Sequence, residues 1–293
     1  MKRLVAAGLC VVAVSTAVPA AAQATAVPAT AQATAVPAAA QVAQGPADAA
    51  PAEAATPICT DRPTKANVAC TVPRGDIQIE ADAINWTRFS SGGVDTDTIL
   101  YTNPTIKYGL GRTTDIEVNI APYETVRVHG QGDTLGGVGD LYVRLKQQFT
   151  APGARTQVAL IPYVKAPTAR FGIGNERWEG GVILPVIFTL PSGFLLNFGP
   201  EVDVLADSDR HGHHANLVSL VNLSHAVGGK GTIYAEFWNA HNIDPTGTIH
   251  QYSADVAYAY LLSPRLQLDL GGNFGLNRFT PGSQVYAGIS TRF

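Results

Sequence analysis

A run of eight residues at 207–214, DSDRHGHH, holds the densest group of chemically active side chains in the sequence. Its three imidazoles, from His211, His213 and His214, and its carboxylates are groups that bind Zn²⁺ or Cu²⁺. The run falls in a predicted loop, where no helix or strand fixes the spacing of the ligands. The competing interpretation is a solvated polar loop, because a His-rich tract can reflect composition alone.

A second group of charged residues is spread along the chain, and its members alternate with apolar neighbours. If the apolar neighbours meet lipid, these charges line a lumen, since an Arg or Lys at the lipid midplane would cost roughly 2–4 kcal/mol. Such charges either form an eyelet that orients a solute or form ion pairs that fill the lumen, and the second interpretation is favoured. The candidates are Glu80, Asp82, Asp115, Glu117, Arg144, Lys146, Lys165, Glu201, Asp203, Glu236, Asp255, Asp269 and Arg292.

Nucleophilic catalysis would need a serine beside a histidine that a third group orients. Ser224 and His225 are adjacent, and His250 and Ser253 are three positions apart, so on strands each pair points to opposite faces. Pairs that form between strands stay open. No GxSxG, HExxH or phosphate-binding glycine loop occurs in a suitable context. We therefore predict no catalytic residue, no cofactor and no enzymatic activity.

The elements that carry these residues are predicted to be strands. In the segment 115–120, DIEVNI, every second residue is apolar, and similar alternation recurs throughout the chain after Gly75. A period of two indicates strands with one apolar face. The predicted strands are 76–89, 98–108, 114–126, 138–149, 156–166, 178–190, 194–206, 215–226, 232–240, 248–261, 266–276 and 283–293.

The predicted connections alternate between longer polar loops and short turns. The longer set is 90–97, 127–137, 167–177, 207–214, 241–247 and 277–282, and the short set is 109–113, 150–155, 190–193, 227–231 and 262–265. A transmembrane barrel has short periplasmic turns and longer outer loops, whereas a soluble sandwich has no reason to sort its loops. The predicted fold class is all-β, an antiparallel outer-membrane β-barrel of about 12 strands with both termini periplasmic.

The first 57 residues are predicted to stand outside this barrel. A basic start, an apolar run and small residues indicate a signal peptide at 1–22, cleaved after Ala22 or Ala24. An Ala/Pro-rich linker with three nine-residue repeats follows at 23–57, and the barrel with a short periplasmic segment occupies 58–293. Loss of Lys2 and Arg3 leaves 18 basic against 23 acidic residues, a net charge of −5. No basic surface then predicts a nucleic-acid partner.

Two features lie at the ends of the predicted barrel. Cys59 and Cys70 survive processing, and in an oxidising periplasm an even pair of this kind is predicted to form a disulfide. Phe293 ends the last alternating strand, which is how outer-membrane barrels present themselves to the barrel-assembly machinery. Aromatic residues near predicted strand ends, among them Trp86, Trp178 and Trp238, are interpreted as an interfacial girdle.

Several short motifs resemble one family of Gram-negative outer-membrane proteins, named for the MetA pathway of phenol degradation. They are ICTDRPTKA at 58–66, TVPRG at 71–75, IQIE at 77–80, KYGL at 107–110, and GDL at 139–141 followed by Lys146. Their order spans the whole predicted mature domain. The resemblance implies a porin-like transporter in the outer membrane. A structural role is expected for the DRP segment, in which Asp61 or Arg62 pairs with the periplasmic rim.

The functional hypothesis is a channel that passes small molecules, with aromatic or hydrophobic compounds as the class that the resemblance implies. The expected partners are outer-membrane lipid, the assembly machinery and a small-molecule solute. Two alternatives stay open: a barrel enzyme that acts on lipid or lipopolysaccharide, and a non-conducting structural barrel. A stacking role for lumenal tyrosines such as Tyr142, Tyr163 and Tyr234 is a weaker hypothesis.

Overall fold

The computed structural model describes residues 57–293, in which all regular structure is β apart from one short 3₁₀ turn at Pro191–Gly193. The predicted signal peptide and nearly all of the linker lie outside these residues. The strands are β1 (Ile77–Ser91), β2 (Val94–Thr102), β3 (Thr105–Gly109), β4 (Thr114–Asn119), β5 (Tyr123–Val128), β6 (Leu135–Gly137), β7 (Leu141–Gln148), β8 (Thr156–Ala166), β9 (Glu179–Ile183), β10 (Val186–Thr189), β11 (Phe194–Phe198), β12 (Glu201–Ala206), β13 (His213–Val227), β14 (Gly231–Asp244), β15 (Gly247–Ser263), β16 (Leu266–Gly275) and β17 (Ser283–Arg292).

These strands form a closed antiparallel barrel with twelve crossings, as the sequence predicts. The last strand, β17, pairs with β1 and so leaves the sheet without a free edge. No helix among residues 57–293 is both long and apolar enough to cross a bilayer.

The two faces of the wall differ in polarity, as strand alternation requires. On β16, Leu268 and Leu270 are exposed on the outside, whereas Gln267 and Asp269 are buried on the inside. The same sorting repeats around the barrel and leaves a continuous outer band of exposed Leu, Ile, Val and aromatic side chains. A surface of this extent on a closed barrel is the surface that lipid covers.

Five of the twelve crossings consist of two strand segments, and the break in each has a local cause. Proline cannot donate a ladder hydrogen bond, and Pro104, Pro122, Pro185 and Pro200 stand at four of the breaks. The fifth break contains Gly139, whose backbone N–H donates to Ala121 O at 2.8 Å. Hydrogen bonds therefore continue across the interruptions, and the wall remains closed there.

Two of the loops predicted to be longer are short in the structure. Gly92 and Gly93 connect β1 to β2 with φ values of 59° and 80°, as a two-residue hairpin turn requires, so most of 90–97 is strand. The loop predicted at 241–247 likewise shortens to the two residues between β14 and β15. The polarity of residues 95–97 explains the error at the first loop; Thr96, for example, is a strand residue buried on the lumenal face.

Both chain ends of the barrel lie at the same rim, which we call the terminal end; the opposite rim is the loop end. The backbone N–H of Phe293 donates to Ile77 O at 2.8 Å, which extends the closing seam by one residue. Its ring is 64% exposed on the outer face, beyond Ile289 and Val285. Phe293 thus joins the apolar band as its strand parity predicts.

Candidate functional site: a plug in the barrel lumen

Residues 57–73, which we call the plug, precede β1 and lie inside the barrel. A bond between the Cys59 and Cys70 sulfurs closes most of the plug into a loop. We call the lumenal residues that contact the plug the socket, and every one of the twelve crossings contributes to it. The socket comprises Gln78, Glu80, Asp82, Lys107, Asp115, Lys146, Ala159, Ile187, Asn197, Asn222, Glu236, Ser253, Asp255, Asp269 and Ser290.

Asp61 accepts hydrogen bonds from two lysines, Lys107 on β3 and Lys146 on β7, whose strands lie on either side of β4. The ammonium of Lys146 lies 2.7 and 2.9 Å from its two carboxylate oxygens, and the ammonium of Lys107 contacts Oδ2. Burial by itself would raise the pKa of Asp61, but the two ammonium charges outweigh burial and hold that pKa below its usual range. Asp61 therefore joins Glu80 and Glu117 of the wall in neutralising a lysine pair in the socket.

Arg62 makes the complementary contact on the other side of the plug. Its Nη1 donates to Asp82 at 2.6 Å, while Nη2 and Nε donate to the two oxygens of Asp269 at 2.7 and 3.1 Å. This fork-to-fork arrangement is the strong, directional form of an Arg–carboxylate pair. Burial lowers the pKa of Arg62, yet the two carboxylates raise it above its usual range, so the guanidinium stays charged.

Lys65 anchors a third point. Its ammonium donates to Asp255 at 2.5 Å and to Ser253 at 2.9 Å, and it lies 5.0 Å from the ring centroid of Trp238. The backbone N–H of the same residue donates to Glu236 at 3.2 Å. Trp238 therefore faces the lumen beside the plug, which corrects its predicted place in an interfacial girdle; it shares the lumenal parity of Glu236 on β14.

Two lumenal glycines beside the socket leave room for the plug. A Cβ atom added to Gly109 would lie 2.0 Å from the carbonyl oxygen of Pro73, and one added to Gly288 would lie 2.0 Å from Nη2 of Arg62. Neither distance can exist between real atoms. The absence of a side chain at these two lumenal positions is thus a requirement of the plugged state.

The plug–socket contacts bring together motifs that are distant in sequence. Asp61 and Arg62 come from the DRP segment, whereas Lys107 and Gly109 come from the KYGL motif on β3. Lys107 binds the Asp61 carboxylate, and Gly109, on the same face two residues later, admits the plug backbone. Asp61 and Arg62 were expected at the rim; the structure places their contacts inside the lumen, because the whole segment enters the barrel.

Above the plug, towards the loop end, a second set of polar and charged residues lies on the inner face of the neighbouring strands β8, β9 and β12. The hydroxyl of Tyr163 donates to Glu201 at 2.9 Å and contacts Asp203. The ammonium of Lys165 lies 2.8 Å from Glu179 on the neighbouring strand. This layer is held by contacts among wall residues and lies nearer to the loop end than the plug does.

Arg144 lies between the two layers. Its guanidinium carbon is 6.0 Å from the Tyr163 ring centroid, and its Nη1 is 3.9 Å from the Glu117 carboxylate. Glu117 itself is fully buried, and its Oε1 lies 3.1 Å from the Lys146 ammonium with which it forms an ion pair. The Arg144–Glu117 separation is long for an ion pair, so the wall holds this guanidinium only loosely.

The predicted lumenal residues all occupy the inner face, but they divide into three groups. One group contacts the plug: Glu80, Asp82, Asp115, Lys146, Glu236, Asp255 and Asp269. The second group lies behind or above the plug: Glu117, Arg144, Lys165, Glu201 and Asp203. The third is Arg292 alone, which lies at the terminal end near Asp76. Sequence reasoning missed Lys107 as a lumenal residue, although its position between Ile106 and Tyr108 carried that signal.

The three predicted metal-ligating histidines do not converge. His211 has an 86% exposed side chain beside Asp209, and His213 contacts the backbone oxygen of Trp178. His214 turns inwards and meets Asp207. The physical reason is strand parity, since His213 and His214 begin β13 and must point to opposite faces.

Acidification is expected to weaken the contacts of Asp61 with Lys107 and Lys146 only well below pH 4. Because the pKa of Asp61 is lowered in the plugged state, its contribution to plug binding is complete above the ordinary aspartate pKa of about 3.9 and is lost as pH falls through the lowered value. Hydrogen exchange of residues 57–73 between pH 7 and pH 2 measures this. D61N should exchange faster at pH 7 and lose part of the acid dependence, because wall carboxylates still hold Arg62 and Lys65 in this variant; an acid profile equal to that of the wild type would contradict the assignment.

Comparison with known proteins agrees with this architecture. An outer membrane channel from Pseudomonas putida F1 superimposes with a TM-score of 0.60 at 13% identity, covering 77% of this chain and 98% of that one. The NanC porin has a TM-score of 0.47 at 7% identity over 73% and 98%, and the translocator domain of the autotransporter NalP from Neisseria meningitidis has 0.40 at 12% over 76% and 90%. No curated protein matches the sequence. Residues 60–293 match the family described as "Putative MetA-pathway of phenol degradation", and the chain belongs to that family.

Proposed function

We propose that this protein is an outer-membrane channel for small solutes and that the plug sets whether its lumen conducts. The observation that carries the proposal is that charged side chains from the wall hold a separate chain segment inside a closed barrel. In this proposal the terminal end faces the periplasm, residues 1–22 are a signal peptide removed on export, and residues 23–57 form a periplasmic linker. The plug therefore closes the periplasmic half of the lumen.

The contacts of the plug are of a kind that water can replace. Its charged side chains reach the wall through ion pairs and hydrogen bonds, and the apolar cluster that it shares with the wall is limited to Val68 and Ala69 against Ala159 and Ile187. Releasing the plug exposes charges to a water-filled lumen rather than to lipid, so solvation offsets much of the lost pairing. A segment packed by apolar burial alone would gain no comparable hydration on leaving.

Three observations support the channel among the candidate functions. The barrel has a polar, charged lumen and an apolar exterior, the family is described by a pathway of phenol degradation, and the P. putida relative in fold is an outer membrane channel. The family description favours small aromatic compounds as the solute class. Arg144, which lies over the ring of the buried Tyr163, supplies a cation above the plug.

Solute flux into liposomes tests this function. Purified barrel in vesicles should admit methyl glucoside and phenyl glucoside, which cross lipid poorly, and a preference for the larger phenyl compound would support the aromatic class. Equal exclusion of both sugars by the wild type and by a variant without residues 57–73 would instead favour a non-conducting structural barrel. Entry of methyl glucoside that is faster than entry of phenyl glucoside would contradict the preference for aromatic solutes and would still support a channel.

The enzyme alternative has no support from the serine–histidine pairs that the sequence offers. Ser224 is buried on the lumenal face, whereas His225 stacks on Phe194 with ring centroids 4.3 Å apart. Ser253 faces the lumen and His250 contacts His241 at 3.0 Å on the outer wall. Labelled phospholipid and lipopolysaccharide should therefore remain intact after incubation with the purified protein.

Deletion of Phe293 is expected to lower the amount of barrel inserted into the outer membrane several-fold. We propose that the last strand is the segment the barrel-assembly machinery reads, and the deletion removes a seam hydrogen bond as well as an apolar ring. The heat-modifiable gel mobility of membrane fractions measures folded barrel. F274A, which removes another outward aromatic far from the terminus, is the matched control. Equal insertion of the wild type and the deletion variant would contradict this role.

A further inference from the structure

Three side chains from neighbouring crossings meet at the loop end of the lumen. Asp207 follows β12, His214 lies near the start of β13, and Asp244 ends β14. The imidazole Nδ1 of His214 lies 2.9 Å from Oδ1 of Asp207 and 3.5 Å from Oδ2 of Asp244. One nitrogen and two carboxylates thus converge within 4.8 Å of one another.

The cluster is enclosed, which separates it from the exposed acidic groups common on surfaces. The three side chains are 9% exposed or less, and the imidazole retains only 5% of its accessible surface. Its Nε2 is buried and makes no hydrogen bond within residues 57–293. An imidazole Nδ1 carries at most one proton and can donate it to only one of the two carboxylates that face it.

Asp244 is fixed in place by its own set of donors. Its Oδ1 accepts from the Ser208 hydroxyl at 2.9 Å and from the Thr246 backbone N–H at 2.7 Å, while its Oδ2 accepts from the Ser208 backbone N–H at 2.8 Å. Carboxylates that bind a metal ion are typically held in place by hydrogen bonds of this kind. The Oδ2 atom keeps a lone pair directed towards the imidazole side.

The spacing suits a small divalent ion. In tetrahedral coordination, Zn–N and Zn–O bonds of about 2.1 Å put ligand atoms about 3.4 Å apart, and the observed separations of 2.9 and 3.5 Å bracket that value. Imidazole nitrogen with carboxylate oxygen suits first-row transition ions, whereas Ca²⁺ and Mg²⁺ favour all-oxygen sets. We propose that Asp207, His214 and Asp244 bind a divalent transition-metal ion such as Zn²⁺, with water as the remaining ligand.

Such an ion would tie loop 207–212 to the ends of β13 and β14. The exposed neighbours His211 and His213 take no part, although all three histidines belong to one sequence run. Zinc binding to refolded, chelator-treated barrel in detergent tests the site by equilibrium dialysis. An H250A background removes the second imidazole pair, His241 and His250, whose Nδ1 atoms lie 3.0 Å apart on the outer wall.

In that background the parent should bind one equivalent of Zn²⁺, and H214A and D244N should each bind at least tenfold more weakly. The matched control, H211A/H213A, should bind as the parent does. S208A should lose about tenfold in affinity while keeping all three ligands. Heat-modifiable mobility establishes that each variant is folded before dialysis. The absence of bound zinc in the parent, or binding that is lost in H211A/H213A and kept in H214A, would overturn the proposal.

Discussion

Replacement of Arg62 with alanine is expected to raise the open fraction of the channel about 100-fold. The guanidinium is 14% exposed, and its removal leaves Asp82 and the fully buried carboxylate of Asp269 without their shared cation. Breaking a buried pair by removing one partner costs about 3 kcal/mol or more, and each 1.4 kcal/mol is a factor of ten in population. The two remaining carboxylates belong to the wall, so the penalty falls on the plugged state and the barrel itself remains folded.

Planar-bilayer recording measures this effect as an increase in time-averaged conductance. R62K keeps the charge without the bidentate fork and should give an intermediate conductance. R88A is the matched control, because Arg88 forms a bidentate pair with Asp97 on the outer face, away from the plug. Equal conductance of R62A and R88A would contradict a plug held by Arg62.

Replacement of Gly109 with alanine is expected to displace the plug by steric overlap alone. The added Cβ would lie 2.0 Å from the Pro73 carbonyl oxygen and 2.5 Å from its carbonyl carbon, and backbone atoms cannot move aside as a side-chain tip can. Overpacking a filled site costs about 1–3 kcal/mol, equivalent to roughly 5- to 150-fold in the open population. Hydrogen exchange of residues 57–73 should accelerate by that factor while exchange of the wall strands stays constant.

Two further glycine variants make this test specific. G288V should act like R62A, because a side chain at Gly288 takes the space of the Arg62 guanidinium. G111A is the control, since its Cβ would meet nothing closer than 3.8 Å although Gly111 lies only two residues beyond Gly109. Exchange of the plug that rises equally in G109A and G111A would show that the effect comes from the local backbone, and the steric argument would fail.

The fold was largely predictable because its cause is local. The sequence of each strand by itself shows the alternation between lipid-facing and lumen-facing residues, so all twelve crossings and their order could be predicted. The errors lie where polar residues, which are typical of loops, belong to a strand. Residues 95–97 are polar yet belong to β2, because the hairpin around Gly92 and Gly93 continues the strands beyond the apolar band.

The site was only partly predictable because its contacts are non-local. Parity places Asp269 and Lys146 on the inner face, but it says nothing of their partners, which lie 207 and 85 residues away at Arg62 and Asp61. The plug has no periodicity of its own and is ordered by the socket that receives it. Trp238 shows the same limitation, since an aromatic near a strand end can face either lipid or lumen.

The lumen thus contains two electrostatic layers with different consequences for a channel. In the lower layer the wall charges are satisfied by the plug, whereas in the upper layer Lys165, Glu179 and Tyr163 are satisfied by the wall. Removal of the plug therefore leaves the upper layer intact and uncovers the charges of the lower one. The socket carboxylates outnumber its lysines, so an unplugged lumen should favour cations.

The conductance of a barrel without residues 57–73 tests the central claim most directly. Wild type and deletion variant, matched for heat-modifiable folding, are compared in planar bilayers with the same salt on both sides. We predict long closed intervals and low mean conductance for the wild type, and a stable, larger conductance for the deletion variant. A deletion variant that folds and still carries no current, or a wild type that already conducts at the deletion level, would contradict the account.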